Sequence, residues 1–342
     1  MNALLKFYRR DRHISRLVIM LAGWLIFMAI TCFDKFFSIR NFPTIASVIP
    51  EYGLMSLGAM VCMITGGIDL SGVGIANLTS ITMALFMKSL PDETGYVTPW
   101  MVPLVLLMAI LCGLCAGAVN GTLISKVKIP PILATLGINQ LLTGIAMVIT
   151  NGPAVQNIPP VYSGLINNKL LQVVPGKRGT VSGLIPVQLL IFVAVVLLIW
   201  FLMARTSYGK KLYMIGTNEN VARYSGLKVD RMLIKTYAMS GACAALGGMI
   251  MLANYSSARA DYGSQYTLQC ILIVVLGGVS PTGGRGKISG VMLAIVLLSL
   301  LEAGINRFPQ ISSYYITMIW GAVLLLVMVL NYFAEHPIGK RR

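Results

Sequence analysis

The sequence predicts an all-α polytopic membrane protein with about ten transmembrane helices, an internal pseudo-repeat and a glycine-interrupted helix at 65–74. Three observations carry that prediction. The chain of 342 residues is 56% hydrophobic and 11% charged, with a mean hydropathy of +0.79, whereas a soluble domain carries about 25% charged residues. Its apolar residues fall into runs of bilayer-crossing length, about 20 residues each. Its basic residues concentrate in the segments between those runs.

Spans are predicted at 17–33, 44–64, 72–88, 101–124, 131–150, 186–204, 236–256, 265–280, 288–304 and 313–333. The first follows Lys6, Arg9, Arg10, Arg12 and Arg16 and so imitates a secretory signal. It is longer than most signal cores and ends in CFDKFF with no small-x-small cleavage site, which predicts a retained helix. The second holds Pro50 and Glu51, and the third opens within TGGIDLSGVG. The longest segment predicted outside, about 151 to 185, is rich in Gly, Pro and Asn and suits a cap or docking surface. No composition shift marks a boundary, so residues 1–342 form a single transmembrane domain. An even number of spans puts both termini on one side. Placing them in the cytoplasm puts 19 basic residues inside and 8 outside, the bias expected of cytoplasmic segments.

Several functions are excluded. The net charge of +16 lies in inter-span loops, with no Lys/Arg stripe interleaved with stacking aromatics as in nucleic-acid binders. All six cysteines, Cys112-x-x-Cys115 included, lie in apolar runs, whereas redox and zinc motifs need accessible thiolates. His13 and His336 sit at opposite ends, so no histidine serves the membrane body. PTGGRGKISG fails the phosphate-loop pattern twice, with Pro281 for Gly and Ile288 for Ser or Thr. The chain itself is expected to bind no cofactor.

Asp69 stands at a helix break in Gly66-Gly67-Ile68-Asp69-Leu70-Ser71. An acid at membrane depth is costly, and irregular backbone there must be buried in protein or line water. Either the segment borders a translocation path together with Glu51, Ser71 and Asn120, or Asp69 caps the next helix. Glu51 carries the same pair of readings, path or interface. Glu302 reads as interfacial, paired with Arg307. Gly113, Gly117 and Gly121 on the fourth span, and Ser240, Ala244 and Gly248 on the seventh, are spaced for close helix packing. A second Gly-rich break, LGGVSPTGGRGKISG at 276–290, echoes the one at 65–74, as expected of a duplicated transporter.

The segment 205–235 carries seven of the 27 basic residues. Within it TNENVARYSGLK predicts a short helix with Thr217 as N-cap, Glu219 in the first turn and Gly226 at C′. So short a helix is marginal alone and needs something to pack against.

TGGIDLS, Thr135-Leu136-Gly137 followed by LLTGIAMVITNG, YGKKLYMIGTNENVARYSGL and VVLGGVSPTGGRGKISG stand in the order found in membrane permeases of ribose-type bacterial ABC importers, which the chain closely resembles from about residue 51 to 330. After GGIDLS the family usually reads close to VGS, where this chain has Gly72-Val73-Gly74-Ile75; substrate contacts in the third helix are therefore not carried over. The resemblance implies an importer permease in the bacterial inner membrane, carrying a pentose, hexose or related polyol. Its implied partners are a second or sister permease, a sugar-binding protein, and a cytoplasmic ATPase that uses ATP and Mg. It further implies that Gly216, Thr217, Asn218, Glu219, Ala222, Arg223, Ser225 and Gly226 form the coupling helix on that ATPase. The competing reading is an ion-coupled secondary transporter, for which the spans offer only Glu51, Asp69 and Glu302 as relay groups. An intramembrane enzyme lacks any nucleophile–base constellation.

Overall fold

The computed structural model describes residues 12–38, 41–90, 99–173, 182–308, 315, 318–325 and 329. Along the chain run α1 (Arg12–Phe36), α2 (Asn41–Ile64), α3 (Gly72–Ser89), α4 (Met101–Ser125), α5 (Pro131–Thr150) and α6 (Pro160–Ile166). A hairpin follows, β1 (Lys169–Val173) paired antiparallel with β2 (Ser182–Pro186), with Lys169 opposite Pro186. Then come α7 (Val187–Arg205), α8 (Ser207–Thr217), α9 (Glu219–Tyr224), α10 (Val229–Tyr255), α11 (Tyr266–Leu276) and α12 (Ile288–Ile305). Among the described residues seven helices, α1, α2, α4, α5, α7, α10 and α12, are long and apolar enough to cross a membrane. The chain is a multi-pass, all-α membrane protein.

Three predicted spans differ from the helices found. The span at 236–256 begins earlier, at Val229, because Val229 and Leu233 pack with Ile215 and Ala222 and draw the helix out beyond the apolar run. The span at 265–280 is cut to 11 residues, since α11 ends at Leu276 and Gly278 takes φ +85°, a left-handed stop. The span at 313–333 lies mostly outside the described residues. The described residues of the segment at 151–185 hold α6, β1 and the start of β2.

The core is built on α2 and α10. From Pro50 to Ile64 every residue of α2 is buried, as expected of a helix apolar all round. Pro50 has no N–H, so the Ala46 carbonyl loses its helical donor. Three glycines of α4 bring it against α10 at backbone distance. A Cβ would fall 2.3 Å from the Gly241 carbonyl oxygen at Gly113, 2.1 Å from that of Tyr237 at Gly117, and 2.5 Å from the Ile234 Cα at Gly121. On another face of α10, Ser240 meets Gly58 of α2 and Gly248 meets Ala76 of α3. Small residues replace side-chain packing with backbone contact, which locks α2, α3 and α4 around α10.

The two ends of the bundle differ. One gathers the segments 126–130, 205–235 and 277–287, which hold 11 of the 18 described Lys and Arg; here it is called the basic end. The far end holds α6, the hairpin, residues 256–265 and the α2 and α12 termini that meet at Asn41 and Arg307.

Candidate functional site

At the basic end α2 stops at Ile64, and residues 65–71 turn back into the bundle without helical structure before α3 opens at Gly72. Gly66 makes this turn at φ +87°, a conformation costly for other residues. Gly67 passes so near Tyr237 that a Cβ would lie 2.2 Å from its hydroxyl. The segment has no ladder partner, so its polar groups are met by side chains from α4, α5 and α10. Thr135 Oγ1 accepts from the Leu70 N–H at 3.1 Å, and Asn139 Oδ1 from the Gly74 N–H at 2.8 Å.

Asp69 is the centre of this network and is 7% exposed. Its Oδ1 accepts from the Ser71 N–H at 2.9 Å and the Ser71 hydroxyl at 2.6 Å, while Oδ2 accepts from Ser240 Oγ at 2.7 Å. Asn120 Nδ2 donates to Ser71 Oγ at 2.7 Å. A buried carboxylate is tolerable only when several donors share its charge, and here three do. Gly66, Gly67, Asp69, Ser71 and Asn120 are thus brought together. Asp69 does not cap α3: Ser71 stands at the N-cap, and Asp69 forms a turn onto it two residues on.

Glu51 lies elsewhere, toward the far end. It accepts from Asn254 Nδ2 at 2.5 Å, Tyr266 Oη at 2.9 Å and Tyr255 Oη at 3.4 Å. Gln188 of α7 donates to Asn254 and Asn167. Glu51 is therefore a buried tie between α2, α10 and α11. The expected Glu302–Arg307 pair is not formed. Arg307 Nη2 donates to Asn41 Oδ1, and Glu302 Oε2 accepts from Gln269 Nε2 at 3.4 Å; α12 ends at Ile305, and the turn at 306–307 takes Arg307 away from Glu302 to the start of α2.

The segment 205–235 is mostly helical. The N-cap of its short helix is Asn218, whose Oδ1 accepts from the Val221 N–H at 3.1 Å. Thr217 is instead the last residue of α8 and donates to the Tyr213 carbonyl at 2.9 Å. Gly216 and Thr217 therefore belong to the preceding helix, because Asn218, at φ −162°, breaks the two apart. Ser225 is the C-cap and Gly226 takes φ +80° at C′. Ala222 faces inward onto Ile215, Val229 and Leu233. The outer face presents two apolar side chains, Tyr224 92% and Val221 58% exposed, among the exposed polar Glu219, Asn220 and Ser225.

Charges hold this helix in place. Arg223 reaches Asp230 at 2.7 Å and Glu219 at 2.8 Å, and Lys128, from the α4–α5 connection, lies 3.5 Å from Asp230 and 3.7 Å from Glu219. The hydrogen bonds to Asp230, then Glu219, raise the Arg223 pKa above its ordinary value, so it stays charged.

Glycines join α8 to both helix breaks. A Cβ on Gly216 would lie 1.9 Å from the Ile64 carbonyl oxygen and 2.4 Å from the Gly284 nitrogen. The Gly284 N–H donates to that same Ile64 carbonyl at 2.9 Å. A Cβ on Gly283 would meet the Gly66 nitrogen at 2.7 Å and the Gly216 oxygen at 2.8 Å. Tyr213 Oη closes the joint on the Gly286 carbonyl at 2.8 Å. The two Gly-rich breaks that echo each other in sequence thus touch, with the C-terminal end of α8 wedged against both.

A family model described as branched-chain amino acid transport system / permease component matches residues 41–329. The chain belongs to this permease family. An autoinducer 2 import system permease protein of Yersinia enterocolitica is 34% identical over 83% of this chain and 81% of its own. Ribose import permease proteins are similarly related, that of Escherichia coli K12 at 32% identity over 90% of each chain, and that of Bacillus subtilis at 33% over 82% of this chain and 80% of its own. No solved structure matches.

In this permease, sequence reasoning missed Ser240, Thr135 and Asn139 around Asp69, Lys128 beside α9, and Val221 and Tyr224 on its face. Two carried a signal: Ser240, read as part of a small-residue packing stripe, and the repeated Gly-Gly at 283–284, read as an echo and not as a contact.

Proposed function

We propose that the chain is the permease subunit of an ATP-binding cassette importer that moves a simple sugar, pentose, hexose or small polyol, across the bacterial inner membrane. A separate cytoplasmic ATPase consumes ATP and Mg, a binding protein delivers the sugar, and a second or sister permease completes the path. The basic end faces the cytoplasm, the side to which the charge count assigns both termini.

One observation carries the reading: a short helix on the basic end presents Val221 and Tyr224 outward while its base is joined by backbone contact to both helix breaks. A partner that closes on ATP binding would push α9, and Gly216 would pass the displacement to Ile64 and to Gly283–Gly284. From there it reaches the backbone beside Asp69. Interfaces of this kind are bistable, and two packings separated by a few kcal/mol suffice for alternating access. Sugar specificity is supported by the ribose and autoinducer 2 names of the relatives.

The test is co-purification of the full chain with an ATPase activity that Tyr224→Ala lowers about tenfold or more. An ATPase retained in full by that variant would refute α9 as the contact.

A further inference from the structure

A hollow at the far end, separate from the Asp69 network, has polar side chains set into a mainly apolar lining. It lies between the first turns of α2 and the last turns of α12, with a volume of about 230 Å³. Asn41, Tyr52, Ser299, Glu302, Asn306 and Arg307 supply its polar wall. Ile45, Val48 and Ala303 supply the apolar remainder. Drug-sized ligands occupy about 300–1,000 Å³, so this space suits a smaller solute.

Its chemistry is mixed and nearly neutral. Glu302 and Arg307 offset each other, and both are already engaged, Glu302 by Gln269 and Arg307 by Asn41. Neither is left as a bare counter-charge for an ion or a zwitterion. Unused capacity remains nearby: Arg307 Nε and Gln269 Oε1 are buried without a hydrogen-bond partner among the described residues. Such groups are rare; Arg307 lines the hollow itself, and Gln269 stands behind Glu302. Tyr52 is fully buried and its hydroxyl is held by Ser299, which fixes its ring as part of the wall. A mainly apolar wall into which donors and acceptors are set matches a small solute with an apolar C–H face and hydroxyls that both donate and accept.

We propose that this hollow is a binding site for a small neutral polyhydroxyl compound, the far-side receiving site of the permease. The inference rests on the importer reading above and adds a place for its cargo.

The experiment uses purified full-length chain in lipid nanodiscs and saturation-transfer NMR with D-ribose, D-xylose, D-galactose, myo-inositol and L-leucine as probes. At least one of the four neutral compounds should give a signal that weakens about tenfold in Ala303→Leu, which fills the space, and in Glu302→Gln, which keeps the shape. Cys112→Ser, exposed on α4, should leave it unchanged. No signal from any of the four, a signal from L-leucine alone, or a signal indifferent to both variants would overturn the site. If Ala303→Leu fails to fold, Glu302→Gln decides. ATP-driven uptake measured on the same variants separates the two claims. Cavity binding without uptake would sink the importer reading alone, and normal uptake in both variants would sink the site alone.

Discussion

Replacing Gly216 by Ala places a methyl group 1.9 Å from the Ile64 carbonyl oxygen and 2.4 Å from the Gly284 nitrogen. Both atoms are backbone, so neither can rotate away. The methyl must separate α8 from the breaks at 65–71 and 277–287, stretching the 2.9 Å hydrogen bond between Gly284 and Ile64. Overpacking of this kind costs about 1–3 kcal/mol, and a lost hydrogen bond about 1 kcal/mol more. Against this, Ala returns up to about 1 kcal/mol of helix propensity. The net is roughly 1–3 kcal/mol, concentrated where α9 is joined to the membrane breaks. Because the face of α9 itself is untouched, ATPase association should persist while sugar moved per ATP hydrolysed falls about tenfold or more. Proteoliposomes containing the assembled complex, with ATP hydrolysis and labelled sugar measured together, read this ratio. Gly144→Ala, with nothing within 4 Å of the new methyl, is the control. A Gly216→Ala complex with a wild-type ratio would refute the joint as the transmission element.

Further outcomes follow from the same structure. Tyr224→Ala removes a side chain 92% exposed on α9 and should weaken ATPase binding about tenfold or more, as truncation of an aromatic anchor does, while membrane insertion is unchanged; titration of the detergent-purified chain with ATPase checks it. Asp69→Ala strands the hydroxyls of Ser71 and Ser240, which donate to it at 2.6 and 2.7 Å, and should lower stability by about 1–3 kcal/mol per unsatisfied group, read as a fall in thermal midpoint. Lys128→Ala removes contacts of 3.5 and 3.7 Å to half-exposed acids, so its cost should stay below about 1 kcal/mol and vanish at high salt. A large salt-independent loss would show that Lys128 does more than pin α9. Gly117→Ala, whose methyl would sit 2.1 Å from the Tyr237 oxygen, should fail to accumulate as folded protein.

The apolar runs made the fold class and most helices legible because burial in lipid demands length and composition together. Spacing of Gly113, Gly117 and Gly121 likewise announced a close helix contact, and α10 supplies it. What the sequence could not show was partnership at a distance. Asp69 was visible as an anomalous acid, yet its donor Ser240 lies 171 positions away in a small-residue stripe that reads as packing alone. Thr217 looked like an N-cap because Thr and Asn are both good caps; the tertiary pull of Ala222 onto Val229 and Leu233 selects Asn218. Glu302 and Arg307 looked like a pair only in one dimension, since each finds a partner on another helix. Charge marks one end of the bundle, but glycines carry the connection between α8 and the breaks.

Uptake of the sugar bound by the cognate binding protein, in proteoliposomes holding the permease and its ATPase, tests the central claim most directly. Uptake that requires internal ATP and is unchanged when ionophores collapse the ion gradients is the predicted result. Uptake that follows an ion gradient without ATP would contradict the account.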